Sequence, residues 1–478
     1  LRRLLFAEAA VVLMLTAYAT LKAQDVEVRI TIDESQPSVA HVEGRFLKGK
    51  RVARLSFLES YAGIAGLNKR IADIKLGDQV IGKAKLGNEA NSSFSTFSYS
   101  VMLHQPSLFL NGAHISWLSN DRGILALDDL LPQPTDGLSV RVTLDLPKKW
   151  RFISNEDHFD EAMLNVNDAL RAIIFVGSDW RIKPIPGSQV TLAVSGEHQV
   201  PDEVMANEIS AIYGQYWKVF GSAPSGSFPQ VAIIRFPSTS GAGAWEAETR
   251  GSTVTILTSG GLSPADAEQR LEQQLRHELF HLWLPNGVNL SGNYDWFYEG
   301  FAVYEASKLG VAMNQIRFED FLSTIGRAID IDRFTTKRSL VEASQDRWAG
   351  ASSQVYARGM LVAFLCDVAL LDASKGKTSV ESLLKQIVDE HRPPANVING
   401  NDAIIAALRA HLELVPIIDD YINGPKPIDL APTLQKAGIH ATTRDQLTEL
   451  SVGDKLNGRQ KALLDKLGYN NWLKLAPK

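Results

Sequence analysis

Apolar residues change their spacing once along this chain. From Asp25 to about Val200 they alternate with polar ones, as in Val26, Val28 and Ile30, in Val140, Val142, Leu144 and Leu146, and in Val190, Leu192 and Val194. A period of two places one set of side chains on one face, which is the mark of a half-buried antiparallel strand. The turn-forming runs PQPTDG at 132–137 and KPIPGS at 183–188 separate these strands. A single sandwich-like all-β domain over 25–200 is the expected result.

At Pro201 the period lengthens. In PDEVMANEISAIYGQYWKVFG, Val204, Ile209, Ile212, Tyr216 and Val219 recur at helical spacing, and Gly221 stops the run. Two strands are predicted next, VAIIRF at 231–236 and STVTILTS at 252–259, with the glycine-rich STSGAGAWEAETRG between them. From Ser263 to about residue 412 helices dominate. PIIDDYINGPKPIDL then breaks the pattern, and 413–478 reads as a small C-terminal appendage of strand and helix. The predicted fold class is α+β and multidomain: a targeting segment at 1–24, the β domain at 25–200, a mainly helical domain at 201–412, and the appendage.

Bulk composition narrows the function classes. With 478 residues and 45% apolar content, the chain can build several cores. A net charge of −5, with no basic stripe and no C-x-x-C cluster, argues against a nucleic-acid partner. The one cysteine, Cys366, cannot form an intrachain disulfide and is expected as a small buried hydrophobe. LRRLLFAEAAVVLMLTAYATLKAQ has basic Arg2 and Arg3, an apolar run and small residues near Ala23, the layout of a secretory signal peptide. Export to a periplasmic or extracellular site is expected, with a retained N-terminal anchor as the alternative. The run is short for a span of about 20 residues, and no stable membrane span is expected after processing.

The chemistry concentrates at HELFHLWLP, 277–285. Ser263, Pro264 and Asp266 make a good helix start, and Leu271, Leu275, Leu279 and Leu282 continue the helix to Pro285 and Gly287. His277 and His281 then share one face, where neutral imidazoles suit Zn²⁺. Glu278 is turned about 100° around the axis, beside the metal, where it can accept a proton from water. Two buried histidines without metal are the bland alternative. A catalytic zinc needs a third protein ligand. WFYEGFAVYEA at 296–306 offers Glu299 near the start of a second helix, capped by Asp295 and brought back by GVNLSGNYD. Gly300 leaves room for close helix contact. Glu305 is expected to face solvent, or else to hydrogen-bond a ligand histidine. In SSQVYARGMLVAFLCDVALL at 352–371, Leu361, Leu365 and Val368 read as core, and Tyr356 by itself reads as a packing residue.

HELFH followed after fourteen residues by WFYEGFAVY resembles the HExxH and W-x-x-E-G-F-A-x-Y pair of the gluzincin metallopeptidases. The glycyl-aminopeptidase group is the nearer likeness and the large zinc aminopeptidases the more distant one. The resemblance implies one zinc ion on His277, His281 and Glu299, with Glu278 as the base, in a thermolysin-like domain. Tyr356–Ala357–Arg358–Gly359 resembles the family's Y-x-K-G motif, with arginine for lysine, and implies that Tyr356 stabilises the tetrahedral intermediate. GAWEAETRG at 243–251 resembles G-x-M-E-N and G-G-L-E-H loops. That likeness implies that Gly243 and Ala244 lie along the substrate and that Glu246 holds its N-terminal ammonium; Glu248 in that role, or a plain surface loop, are the alternatives. Seventeen residues separate His281 from Glu299, one short of the large aminopeptidases. Tyr298 stands where Asn is usual, Ala247 where Asn or His is, and Ala306 where a supporting carboxylate is common. The implied activity is zinc-dependent removal of N-terminal residues from peptide substrates. An endopeptidase on the same scaffold, or an inactive peptide-binding envelope protein, are the alternatives.

Overall fold

Two of the clearest period-two runs, Val26–Ile32 and Val140–Asp145, lie side by side as parallel strands with Val26 opposite Val140. Every second residue in each is buried, as the alternation requires. The computed structural model describes residues 24–81, 93–107, 109–133, 139–226, 228–237 and 243–470. The predicted targeting segment, apart from Gln24, and most of the 132–137 turn lie outside these residues.

The described residues divide into two compact units. The first takes residues up to Ser60, Ala65–Gln105 and Ile115–Ser178; the second takes Tyr61–Ile64, Pro106–His114 and Asp179 onward. In the first, the two strands above sit at the centre of an eight-stranded sheet. A four-stranded sheet is built from Trp117–Leu118, Arg122–Ala126, Arg151–Ile153 and Ile173–Gly177. Side chains of both sheets, among them Val28, Val142, Leu125, Ile174 and Val176, share one core, so the unit is a sandwich.

The main stretch of the second unit begins at Asp179 rather than at Pro201. The Val190, Leu192 and Val194 run falls in Thr191–Ser195 and its flank, and that strand joins the second unit's five-stranded sheet. Periodicity identifies such a strand but not its partner. Here the partner is Gln230–Arg235, paired in parallel with Leu192 opposite Val231. The next strand, Thr253–Thr258, is also parallel. Its six residues are all buried, matching the continuous apolar run of a central parallel strand. Trp245–Arg250 closes the order as an antiparallel edge strand.

Helices carry the rest. α1 (Asp202–Phe220) ends at Gly221, whose φ of 72° is the left-handed conformation glycine adopts without strain. α2 (Pro264–Phe280) starts as read: Ser263 Oγ accepts the Asp266 N–H at 3.2 Å. α3 (Asp295–Ala312), α4 (Phe318–Phe334) and α5 (Ser352–Ser374) follow. α3 and α5 cross at Gly300 and Gly359, where a Cβ on Gly300 would lie 2.4 Å from the Gly359 Cα. α5 is long and apolar enough to cross a membrane, but 89% of its apolar window is buried inside the protein, Cys366 included. Residues 413–470, the described part of the predicted 413–478 appendage, are not separate from the helical unit. Leu463, Leu464 and Leu467 belong to the same core as α2 and α5. The hairpin Ile439–Arg444 and Leu447–Val452 is tied to α4 by the Thr448 N–H, which donates to Asp330 at 2.9 Å. Its first strand is exposed beyond Ile439, while alternate residues of the second, Leu450 and Val452 among them, are half-buried against the core.

Candidate active site

α2 ends at Phe280, ahead of the Leu282 to Pro285 end that the pattern predicts. His281 is its C-cap, still in right-handed helical conformation, so the four-residue offset keeps both histidines on one face. Their Nε2 atoms lie 3.1 Å apart. α3 delivers Glu299 to the same point, with Oε2 3.2 Å from His277 Nε2 and 3.5 Å from His281 Nε2. Asp295 is the first residue of α3 rather than its cap, and Tyr294 takes the cap position. Asp295 Oδ1 instead accepts from Arg347 Nη1 at 2.9 Å. The Leu290–Ser291 stretch of the shortened loop pairs with Ile398–Asn399, which anchors the connection.

These three donors fit Zn²⁺. Ligand atoms at about 2.0–2.1 Å from a tetrahedral zinc stand roughly 3.3 Å from one another, which is the spacing found. The His281 Nδ1–H donates to the Leu284 carbonyl at 2.9 Å, which turns Nε2 toward the triad. Glu299 is almost fully buried. Burial alone would raise its carboxyl, but Arg347 and then His281 hold it well below the usual range. It therefore stays an anionic donor. A second acidic group, Glu208, Glu268 and Glu272, also brings its oxygens together, but it has no histidine and is less buried.

Glu278 is buried beside the triad, and Thr249 Oγ1 lies 2.8 Å from its Oε2 and 2.9 Å from its backbone oxygen. Thr249 comes from the edge strand, so the sheet positions the predicted base. Tyr356 reaches the same place from α5. Its ring lies 6.2 Å from the His277 ring, and its hydroxyl accepts from Arg347 Nη2 at 2.7 Å. Burial, then Glu299, pushes the Tyr356 hydroxyl well above its ordinary range, so it keeps its proton. Arg347 also reaches Glu299 Oε1 at 2.9 Å. No motif announces Arg347; only its place just ahead of α5 brings it here.

The triad opens into a cleft of about 840 Å³. His277, Glu278, Tyr356, Gly243 and Glu246 all line it. Gly243 has φ 77°, and Ala244 is engaged through its backbone, its N–H donating to Ser259 Oγ at 2.9 Å and its carbonyl accepting the Ser259 N–H at 3.0 Å. Glu246 is 8% exposed, and its Oε2 accepts the Ala113 N–H at 3.0 Å. Its Oε1 lies 3.3 Å from His114 Nε2. Burial opposes a charge on His114, but Glu246 and Glu248 outweigh it and push the imidazole up to about 10. Glu248, from the same strand face, is held at about 2: burial works against it, and Arg250 and His114 prevail.

Glu305 does not face solvent. It is 3% exposed, and burial pushes its carboxyl well above its ordinary range. Its charged neighbours are Lys308, Glu381 and Asp367, away from the triad. α3 is buried on nearly all sides, so a polar position on it need not reach water.

No family model and no curated protein matches this chain. Solved structures do. An aminopeptidase N family protein from Idiomarina loihiensis aligns with a TM-score of 0.71 at 17% identity, over 91% of this chain and 82% of that one. An M1 zinc metallopeptidase from Deinococcus radiodurans aligns at 0.52 and 14% identity, over 85% of this chain and 96% of that one. A variant of the Deinococcus protein bound to a Tyr-Ser-Ala substrate aligns equally, at 0.52 and 14%. The chain has the fold of the M1 zinc metallopeptidases, a sheet-rich N-terminal region followed by a helical one.

Proposed function

We propose that this chain hydrolyses peptide bonds with one zinc ion held by His277, His281 and Glu299. The observation that carries the reading is the convergence of three metal-donor atoms at 3.1–3.5 Å beside a buried carboxylate, in a cleft. Zinc, when bound, supplies a Lewis acid that polarises the scissile carbonyl and activates water. Glu278 takes the proton of the attacking water and returns one to the departing amine. Tyr356 keeps its own proton, because burial and the Glu299 charge disfavour the phenolate, and Arg347 rather than Tyr356 is the donor in their contact. That proton is available to the negative charge that develops on the carbonyl oxygen.

Removal of N-terminal residues, in a thermolysin-like catalytic domain, draws its support from the named likenesses and from Glu246 in the cleft wall. One observation favours the second reading, cleavage inside a chain: Glu246 is already paired with His114 and Ala113. The metal and base are tested together. Glu278→Gln should lower hydrolysis of a mixed peptide library by about 10²–10⁴-fold while keeping one zinc per chain. Normal cleavage by that variant would remove Glu278 as the base. Cleavage by the unaltered protein that survives a chelator would remove the metal.

A further inference from the structure

A substrate ammonium needs an anionic partner, so the state of each acidic group in the cleft decides whether a free N-terminus is favoured. Asp320 is held by Arg317 through contacts of 2.9 and 3.1 Å. Asp266 is exposed and takes the Ser263 hydroxyl at 2.7 Å. Glu278 stands at the triad. That leaves Glu246, which is both lining and buried.

Glu246 belongs to a closed set. Glu246 and Glu248 are two apart on the edge strand and so share a face. His114 sits between them, Nε2 at 3.3 Å from Glu246 and Nδ1 at 3.2 Å from Glu248. The Nδ1 contact lacks hydrogen-bond alignment and acts as an ion pair. Glu248 also accepts the Tyr61 hydroxyl at 2.5 Å and faces Arg250 Nη2 at 3.2 Å. Arg250 in turn donates to the His114 carbonyl at 2.9 Å and lies over the Tyr61 ring at 4.3 Å. Two carboxylates, one imidazolium and one guanidinium cancel. Trp348 packs edge-on to His114 at 6.0 Å between ring centres. For an ammonium to pair with Glu246, it would have to displace a buried cation that two carboxylates hold.

We propose that His114 determines specificity by neutralising Glu246 and Glu248, so that the cleft takes peptide segments whose nitrogen at this end is acylated, either inside a longer chain or at a blocked N-terminus. The edge strand supports this. Its outer side carries no further strand among the described residues, and an extended chain can run along such an edge through backbone hydrogen bonds. The proposal rests on the peptidase reading.

The test is equilibrium dialysis of zinc-loaded Glu278→Gln protein against an octapeptide library in free-amine and N-acetylated forms, read by mass spectrometry. The acetylated form is expected to bind at least as tightly as the free one. His114→Gln in the same protein should shift the ratio about tenfold toward free amines. Since that variant leaves carboxylates uncompensated and could fail to fold, His114→Lys, which keeps a cation between the two carboxylates, serves as the second probe and should leave the ratio unchanged. Tenfold tighter binding of the free form, or a tenfold shift toward that form in His114→Lys, overturns the proposal and leaves the peptidase reading standing. A folded His114→Gln protein with an unchanged ratio also overturns it. Binding of neither form overturns both.

Discussion

Arg347 shows how much of this site depends on a residue outside every motif. Its guanidinium joins Asp295, Glu299 and Tyr356 at 2.9, 2.9 and 2.7 Å and lies 4.4 Å from the Trp348 ring. A planar fork can span these partners where a lysine ammonium cannot. Removing it leaves two buried carboxylates without their cation. Arg347→Met should therefore cost about 3–5 kcal/mol in urea unfolding of the metal-free protein, and Arg347→Lys should restore only part. A loss under about 1 kcal/mol, the range of an exposed pair, would mean that solvent already screens these contacts. Glu299 illustrates the limit of reading from the chain. Its candidacy as a donor could be read from spacing and family likeness, but the cation that holds it ionised could not.

At the scale of elements, the site depends on how closely α3 and α5 approach. Gly300 follows Glu299, the proposed third ligand, directly, and the atoms a Cβ would meet there are backbone atoms of Gly359 and Met360, which cannot rotate aside. Gly300→Ala should push the helices apart, cost about 1–3 kcal/mol and weaken zinc retention, because Glu299 moves with the backbone. Gly214 in α1 is the control. Nothing lies within 4 Å of its added Cβ, and alanine there should stabilise by about 0.5–1 kcal/mol through helix propensity. Denaturant unfolding with bound zinc measured in parallel checks both. Equal stability and zinc content in Gly300→Ala would show that the crossing tolerates a wider gap. The sequence marked Gly300 as room for close helix contact, but not that Gly359 is what faces it.

At the scale of the whole molecule, all predicted ligands lie in the second unit, on α2 and α3. Zinc that binds the folded state alone should stabilise this unit by about 4 kcal/mol at a thousandfold excess over its dissociation constant. The melting transition of the second unit should fall on chelation and recover with added zinc. Glu299→Gln should erase that response. A melting temperature indifferent to chelator would mean that the triad holds no metal in the folded protein.

The sequence by itself determined what short-range geometry can carry. Period-two runs specified the strands of the sandwich, Ser263 and Pro264 specified the start of α2, and a four-residue offset placed His277 and His281 on one face. Only the tertiary structure decided which sheet received Thr191–Ser195, that Glu305 is buried, that residues 413–470 share the helical core, and that His114 and Arg347 accompany Glu246 and Glu299. The reason is physical. Periodicity reports which face of an element leaves water, whereas the partner that covers that face, or the charge that balances a buried carboxylate, arrives from a distant part of the chain and leaves no local pattern.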